Sequence, residues 1–327
     1  MEQRLLGRPG RQVSVIGLGA WQLGADWGEV GEDEALATLS GALDAGVTFI
    51  DTADVYGDGR SERIIGTLLH GRPDAGLTVA TKMGRRVPQE PSAYTLDNFR
   101  AWTDRSRANL GVDTLDLVQL HCPPTPVYST GAVFDALDTL VQEKRVAAYG
   151  VSVETCAEAL TAIARPGVAS VQIILNMLRL KPLDEVLPAA RAAGVGIIAR
   201  VPLASGLLSG RYDEHTTFPA DDHRTYNRHG EAFDVGETFS GVDFGTGLAA
   251  VRRLRPLVPP GATMAQFALR WIVDQPGVSA VIPGARNPGQ ASANAAAADL
   301  PPVGPAASDE VRATYDDLIR PMVHDRW

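Results

Sequence analysis

Short runs of apolar, often β-branched residues recur along the chain and alternate with longer segments in which apolar residues return every three or four positions. The short runs predict β-strands and the longer segments predict amphipathic α-helices. In the segment 32–46 three leucines share one helical face, and Gly46 stands just past the expected end. A second helix is predicted over 61–71, with Ser61 as its N-cap. The predicted strands span residues 13–18, 47–50, 77–81, 115–120, 147–151, 170–175, 195–201 and 279–282.

Strands that alternate with helices favour parallel pairing through right-handed crossovers. Eight such units predict an α/β fold of the (β/α)8, or TIM, barrel type, with an open doubly wound sheet as the alternative. We expect one domain over residues 1–327. The stretch 3–14 predicts a small N-terminal β-hairpin that turns at Arg8, Pro9 and Gly10 before the first barrel strand. The polar segment 212–244 has little periodicity, and a loop of that length predicts a functional lid.

The first predicted barrel strand ends in GLGAWQLG, which resembles part of a dinucleotide-binding fingerprint. That fingerprint needs a third glycine where Gln22 stands, and no helical pattern follows. The chain therefore does not fit a Rossmann domain. Gly17 and Gly19 still permit close approach of the backbone to a ligand.

Composition excludes some classes of partner. The formal net charge is −9 and the sequence pI is near 5.2, so neither a nucleic-acid surface nor an anionic-membrane surface is expected. A phosphate-bearing ligand would need a few local cations. Cys122 and Cys156 have no metal-ligand spacing, and we expect no metal site. Residues 1–10 do not resemble a signal peptide, and no long apolar run occurs, so we expect a cytoplasmic location.

Four polar residues of different types follow three consecutive predicted strands. Asp51 ends the second strand and Tyr56 lies in the loop after it, while Lys82 ends the third strand and His121 the fourth. Each has an ordinary structural explanation on its own, such as a turn-forming aspartate or a packed tyrosine. In a barrel, however, the carboxyl ends of the strands share one rim, and active sites lie there. We therefore expect the four side chains to form an acid–base site.

The chemistry of these four groups is complementary. A phenol has an ordinary pKa of about 10, and a nearby ammonium favours the phenolate, so Lys82 is expected to lower the pKa of Tyr56. Asp51 would hold Lys82 charged, and His121 could donate a hydrogen bond to a carbonyl oxygen. The set can protonate an oxyanion as it forms. It includes neither a nucleophile nor a metal cage, so the electrons must come from elsewhere.

Over nearly its whole length the sequence resembles the aldo-keto reductase superfamily. The matching stretches are GLGAW (17–21), DTADVYG (51–57), TK (81–82), LVQLH (117–121), GVS (150–152), VQIILN (171–176), PLASGLLSGR (202–211) and VIPGARNPGQASAN (281–294). The resemblance implies that Asp51, Tyr56, Lys82 and His121 are a catalytic tetrad with Tyr56 as the proton donor. It also implies that NADPH supplies the electrons and binds extended across the barrel mouth.

The resemblance further implies a set of cofactor contacts. Ser152 and Gln172 would bind the nicotinamide carboxamide, the loop 202–211 would wrap the pyrophosphate, and Arg286 would recognise the adenosine 2′-phosphate. Arg286 precedes a predicted helix whose N-terminal amides also favour a phosphate. The implied cofactor-binding residues are Gly19, Ala20, Trp21, Ser152, Gln172, Arg200, Pro202, Leu203, Ser205, Gly206, Leu208, Arg211, Gly284, Arg286, Gln290 and Asn294.

Three positions depart from the pattern of the superfamily. Val153 stands where asparagine is common, and Ala293 stands where glutamate is common. At Arg200 or Val201 many members have an aromatic residue that stacks on the nicotinamide ring. An arginine plane can also stack on a ring.

The implied substrate is a small-molecule carbonyl compound, or the alcohol in the reverse direction. Trp21, Trp27 and Tyr128 are the expected substrate contacts. Two other functions remain open: a non-catalytic NADP-binding regulatory subunit on the same scaffold, and a metal-dependent barrel hydrolase that uses Asp51, Asp54 and His121. The hydrolase would usually need a histidine pair where Gly19-Ala20-Trp21 stands. The sequence leaves the physiological substrate and the oligomeric state open.

Overall fold

The computed structural model describes residues 1–8, 10–24 and 30–327, and its strands alternate with helices along most of the chain. The strands are β1 (Gln3–Leu6), β2 (Arg11–Ser14), β3 (Leu18–Gly19), β4 (Phe49–Asp51), β5 (Thr78–Met83), β6 (Leu117–His121), β7 (Tyr149–Ser152), β8 (Val168–Ile174), β9 (Gly196–Arg200) and β10 (Val278–Val281). The helices are α1 (Glu32–Asp44), α2 (Arg60–Gly71), α3 (Leu96–Leu110), α4 (Gly131–Gln142), α5 (Cys156–Ile163), α6 (Val186–Ala193), α7 (His223–Tyr226), α8 (Phe244–Leu254), α9 (Met264–Val273), α10 (Pro288–Ala295), α11 (Pro305–Thr314) and α12 (Arg320–Val323). A π-helical segment, Tyr315–Ile319, joins the last two.

The eight strands β3 to β10 form one parallel sheet in the order of the chain. Parallel bridges between Ile16 and Val281 and between Gly19 and Gly284 join its two edges. The sheet therefore closes on itself, and the predicted (β/α)8 barrel is confirmed. The strands β4 to β10 are buried along their whole length, as expected when helices cover the outside and side chains fill the inside.

The N-terminal hairpin closes one end of the barrel. Strands β1 and β2 pair antiparallel, and their Leu6 and Val13 pack with Phe49 and Leu117, the first residues of β4 and β6, and with Ala80 of β5. This apolar plug lies at the end opposite the carboxyl ends of the strands. The predicted start of the first barrel strand was wrong: residues 13 and 14, which the pattern assigned to both elements, belong to the hairpin, and the barrel strand begins only at Leu18. The predicted turn includes Pro9, which lies outside the described residues.

Local signals set most helix ends. A capping box of Thr155 and Glu158 begins α5, and a second one of Thr263 and Gln266 begins α9. Gly46, with φ of 89°, follows the end of α1 as expected. The prediction of Ser61 as an N-cap was wrong, because α2 begins at Arg60, after Gly59 in the left-handed conformation, and Ser61 lies within its first turn. Ser61 instead donates a hydrogen bond to the carbonyl of Ala20, 3.0 Å away, which ties α2 to the barrel mouth.

The segment 212–244 contains more regular structure than its pattern suggested. It includes α7 and the short 3₁₀ turns Val235–Glu237 and Phe239–Gly241. Tyr212, Phe218, Phe239 and Phe244 form an aromatic cluster that holds the two ends of the segment together. Among the described helices, none is both long and apolar enough to cross a membrane.

Candidate active site

The centre of the barrel mouth is a buried ion pair between neighbouring strands. Asp51 is the last residue of β4, and Lys82 lies near the end of β5; their side chains are only 4% and 2% exposed. The Lys82 ammonium donates to Asp51 Oδ1 and to the Thr52 carbonyl, 2.8 Å away. Burial by itself lowers the pKa of Lys82, but Asp51 and Tyr56 more than offset it, so the net pKa is raised. The lysine is therefore a fixed cation.

The second oxygen of Asp51 is held by two glutamines from inside the barrel. Gln119 Nε2 and Gln172 Nε2 donate to Asp51 Oδ2 at 3.0 and 2.7 Å, and Gln172 also donates to Gln119 Oε1 at 3.2 Å. The role of Gln119 was missed from the sequence. A signal was present, since Gln119 precedes His121 by two residues in an apolar strand and so shares its face.

The Tyr56 hydroxyl lies against this ion pair. The Lys82 ammonium donates to it at 3.4 Å and lies 5.1 Å from the ring centre. The tight turn after Tyr56 depends on Gly57, which has φ of 57° and whose Cβ, if present, would lie 2.3 Å from the Gly24 carbonyl oxygen. The structure therefore places the phenol and the ammonium together, as the sequence reasoning required.

The expected direction of the Tyr56 pKa was wrong. Burial raises the pKa of the phenol and outweighs the lowering by Lys82, so the net pKa lies above 10. The neighbouring charge is present, but removal of the ring from water disfavours the phenolate more strongly. Tyr56 consequently stays protonated at neutral pH, which is the form a proton donor needs.

His121 completes the group at the end of β6. Its ring meets the Tyr56 ring edge to face, with 5.9 Å between centroids. Burial, and then the cations Arg85, Lys82 and Arg200, hold the pKa of His121 well below its ordinary value. The imidazole is therefore neutral and can donate one hydrogen bond. Within the described part of the chain its Nδ1 has no hydrogen-bond partner.

Aromatic side chains pack beside Tyr56 at the barrel mouth. Trp21 stacks on Tyr56 with 6.0 Å between ring centroids, and from the segment 212–244 His223 and Phe233 approach Trp21 to 5.6 and 5.9 Å. The segment expected to be a lid therefore packs on the mouth. The expected substrate contact Tyr128 is buried and donates to the Ser152 carbonyl at 2.8 Å. Trp27 lies outside the described residues.

Several of the expected cofactor residues lie around the same rim. Gly19 pairs with Gly284, and beside this bridge Gly19 N donates to Pro283 O at 3.0 Å. Ser152 ends β7 opposite Gln172 of β8. In the loop after β9, Leu208 is buried and Arg211 is exposed. The members of this rim that the structure describes are Gly19, Ala20, Trp21, Ser152, Gln172, Arg200, Pro202, Leu203, Ser205, Gly206 and Gly284.

A second group surrounds the start of α10. Arg286 is exposed just before the helix, and its backbone N–H donates to Gln290 Oε1 at 2.9 Å. Asn294 donates to the Gly284 carbonyl at 3.1 Å, and Asn287 caps the helix. No ion-pair partner of Arg286 occurs among the described residues. A free guanidinium beside helix N-terminal amides suits a phosphate.

Arg200, at the end of β9, stands where an aromatic residue that stacks on a nicotinamide ring was the alternative, and its surroundings differ most from a simple stacking site. It is buried and pairs with Glu154 at 2.8 Å and with Glu237 at 2.5 Å. Glu154 also accepts from Arg85 at 3.2 Å. These two carboxylates were not singled out from the sequence, although Glu154 follows Ser152 by two residues at a strand end.

No group of three or more histidine, cysteine or acidic side chains in the described ranges could hold a metal ion. Asp51, which the hydrolase alternative would use as a ligand, is engaged by Lys82, Gln119 and Gln172. The arrangement instead suits proton donation to a nascent alkoxide.

Comparison with known proteins agrees with this class of site. The sequence model of the aldo/keto reductase family matches residues 15–314. The chain therefore belongs to the aldo/keto reductase family, and it is a barrel oxidoreductase by fold and by family.

Particular relatives cover most of the chain. It is 31% identical to the aldo-keto reductase YhdN of Bacillus subtilis, over 90% of this chain and 87% of that protein. It is 30% identical to a probable voltage-gated potassium channel subunit beta of rice, Oryza sativa subsp. japonica, over 96% of each chain.

Solved structures share the fold. The glycerol dehydrogenase AKR11B4 of Gluconobacter oxydans superposes with a TM-score of 0.75 at 29% identity, over 98% of this chain and 96% of that chain. An aldo-keto reductase of Klebsiella pneumoniae in complex with NADPH superposes with a TM-score of 0.70 at 23% identity, over 96% of each chain.

Proposed function

We propose that this protein is an NADPH-dependent oxidoreductase that reduces aldehydes or ketones to alcohols, or catalyses the reverse oxidation, with Tyr56 as the proton donor. The observation that carries the proposal is the convergence of the Asp51–Lys82 pair, the Tyr56 hydroxyl and a neutral His121 at one end of the barrel. A carbonyl oxygen placed there would meet two hydrogen-bond donors and a fixed cation.

Tyr56 and Lys82 act together in the proposed reduction. Bound NADPH would supply the hydride. As negative charge develops on the carbonyl oxygen, Tyr56 gives up its proton, and the adjacent Lys82 ammonium stabilises the phenolate that remains. Asp51 keeps Lys82 in place through Oδ1, and Gln119 and Gln172 hold its other oxygen. His121 donates to the same carbonyl oxygen and orients it.

The chain has groups that fit this cofactor. Gln172 uses its amide nitrogen on Asp51 and Gln119, so its amide oxygen can accept from a carboxamide N–H. The exposed Arg286 and the start of α10 suit the 2′-phosphate. The Klebsiella relative of the same fold is in complex with NADPH.

The first experiment replaces the proton donor. Tyr56→Phe should leave the fluorescence-measured Kd for NADPH within about twofold, because the ring remains, and should lower kcat roughly 10²- to 10⁴-fold. Tyr149→Phe is the matched control, since Tyr149 is also buried but bonds to Asp138 outside the mouth. Wild-type turnover by Tyr56→Phe would exclude Tyr56 as the acid.

The second experiment addresses cofactor choice. Arg286→Ala should weaken NADPH binding much more than NADH binding, because only NADPH carries the 2′-phosphate. Fluorescence titration with both cofactors measures the two losses. Equal losses would contradict the assignment of Arg286.

One relative supports a second candidate, a nucleotide-sensing subunit without a physiological substrate, because the probable voltage-gated potassium channel subunit beta of rice matches 96% of the chain. A panel of pyridoxal, sugars, and aromatic and aliphatic aldehydes with both cofactors separates the two. Saturable NADPH oxidation with any of these substrates favours the enzyme. Tight NADPH binding without turnover of any of them favours the subunit.

A further inference from the structure

Four charged side chains form a row of alternating sign beside the four acid–base groups. Arg85, from the loop after β5, contacts Glu154, which follows β7; Glu154 contacts Arg200 at the end of β9, and Arg200 contacts Glu237 of the 3₁₀ turn Val235–Glu237. Burial lowers the pKa of Arg200, but Glu154 and Glu237 more than reverse this and hold the guanidinium charged. The four side chains are two guanidinium groups and two carboxylates, so their formal charges sum to zero.

This row of four charged side chains contacts the acid–base site. Arg85 Nε donates to the His121 carbonyl at 3.2 Å. Arg200 Nη2 donates to the Val153 carbonyl at 3.0 Å and lies 3.8 Å from the sulfur of Cys122, the residue after His121. A nicotinamide ring that delivers hydride beside Tyr56 and His121 would therefore lie close to the Arg200 guanidinium.

Glu237 is held in place by its backbone as well as by its side chain. The Ser205 hydroxyl donates to the Glu237 carbonyl at 2.9 Å and accepts from the Phe239 N–H at 3.0 Å. Asn176 donates to the Ser240 hydroxyl at 2.8 Å. Ser205, Phe239 and Ser240 all have φ between 52° and 58°, a conformation that persists only where surrounding contacts enforce it. The loop after β9 and the segment 237–240 are thus built as one unit.

The charge of Arg200 would matter to the oxidation state of the cofactor. The oxidised nicotinamide ring carries a positive charge and the reduced ring does not. An unpaired guanidinium beside the ring would therefore repel NADP+ selectively, whereas a guanidinium neutralised by two carboxylates would not. Removal of one carboxylate raises the summed formal charge of the four side chains from zero to +1.

We propose that Glu237 is a positioning residue for the nicotinamide: together with Glu154 it fixes the Arg200 guanidinium at the barrel mouth and neutralises it, so that oxidised cofactor can bind. This inference rests on the proposed NADP(H)-dependent function. It makes the segment 212–244 part of the electrostatic environment of the ring as well as a cover for the mouth.

The test compares Kd values for NADP+ and NADPH by tryptophan fluorescence without substrate. Glu237→Gln keeps an acceptor for Arg200 but removes the charge, so the ratio of Kd for NADP+ to Kd for NADPH should rise roughly fivefold to tenfold. Glu237→Ala removes the anchor as well and should also weaken NADPH binding. Glu214→Gln is the control from the same segment, because Glu214 pairs with Arg252 at an exposed position, and its ratio should stay within about twofold of wild type.

A purely structural role of Glu237 would change both Kd values by the same factor. An unchanged ratio in Glu237→Gln, with a thermal melting point near that of wild type, would overturn the inference and leave the proposed function intact. If Glu237→Gln does not fold, Glu154→Gln makes the same change of charge from the other side of Arg200, and it must shift the ratio in the same direction. Failure of wild type to bind either cofactor would instead refute the proposed function.

Discussion

Asp54 provides a test of the electrostatics around the mouth that does not depend on substrate. It lies in the loop between β4 and α2, is 1% exposed, and its Oδ1 has no hydrogen-bond partner among the residues that the structure describes. Burial and the nearby Glu62 raise the pKa of Asp54 from 3.8 to about 7, although Arg86 and Arg105 act in the opposite direction. The carboxyl group is therefore protonated below neutral pH.

The sign of its effect on stability follows from this shift. The folded protein holds the Asp54 proton more tightly than the unfolded chain, so the stabilisation is complete below pH 3.8 and is lost as pH rises through about 7. The full shift of about three pKa units corresponds to roughly 4 kcal/mol, of which about 2.5 kcal/mol is lost between about pH 5 and 8. Asparagine resembles the protonated carboxyl group and does not titrate.

The assay is urea denaturation of wild type and Asp54→Asn at several pH values between about 5 and 8. The difference in free energy of unfolding, variant minus wild type, should rise by about 2.5 kcal/mol over this range. The depressed pKa of His121 gives stability the opposite pH dependence, but it is present in both proteins and cancels in the difference. Asp44→Asn, at an exposed ion pair with Arg72, is the control. A flat difference for Asp54→Asn would refute the reasoning about its burial.

Two further predictions concern buried groups of the mouth. Lys82→Met leaves the Asp51 carboxylate buried without its cation, so the free energy of unfolding should fall by about 3–5 kcal/mol. Aldehyde reduction should be lost as well. An unchanged free energy of unfolding in urea at pH 7 would contradict a buried ion pair. Burial raises the pKa of the Cys122 thiol to about 12, so little reactive thiolate is present at about pH 8. Iodoacetamide at that pH should therefore label Cys122 at least about 100-fold more slowly in the native protein than in urea. Mass spectrometry measures the two labelling rates. Rapid native labelling would show an accessible thiolate.

The strand ends were the best-predicted part of the site. A short buried strand can be recognised locally, and the residue that follows it must emerge at the carboxyl end. This pattern alone places Asp51, Lys82 and His121 on three adjacent strands, and the structure brings them together with Tyr56.

The errors arose where a local pattern had more than one solution. Ser61 has the chemistry of an N-cap, but Gly59 takes the N-cap position in a left-handed conformation. The Ser61 hydroxyl instead donates a hydrogen bond to the Ala20 carbonyl. Residues 13–18 have the pattern of one barrel strand, but Val13 and Ser14 pair with β1 in the hairpin. In both cases a long-range partner decided between local alternatives.

The sequence by itself determined the alternation of strands and helices, and with it the rim on which the polar residues gather, because hydrophobic periodicity and caps act over only a few neighbouring positions. Only the tertiary structure decided the protonation of Tyr56 and the pairing of Arg200 with Glu154 and Glu237. Those properties depend on how much water is excluded and on charges supplied by segments distant along the chain. Burial and Coulomb interactions are functions of distance in space, which the order of residues does not state.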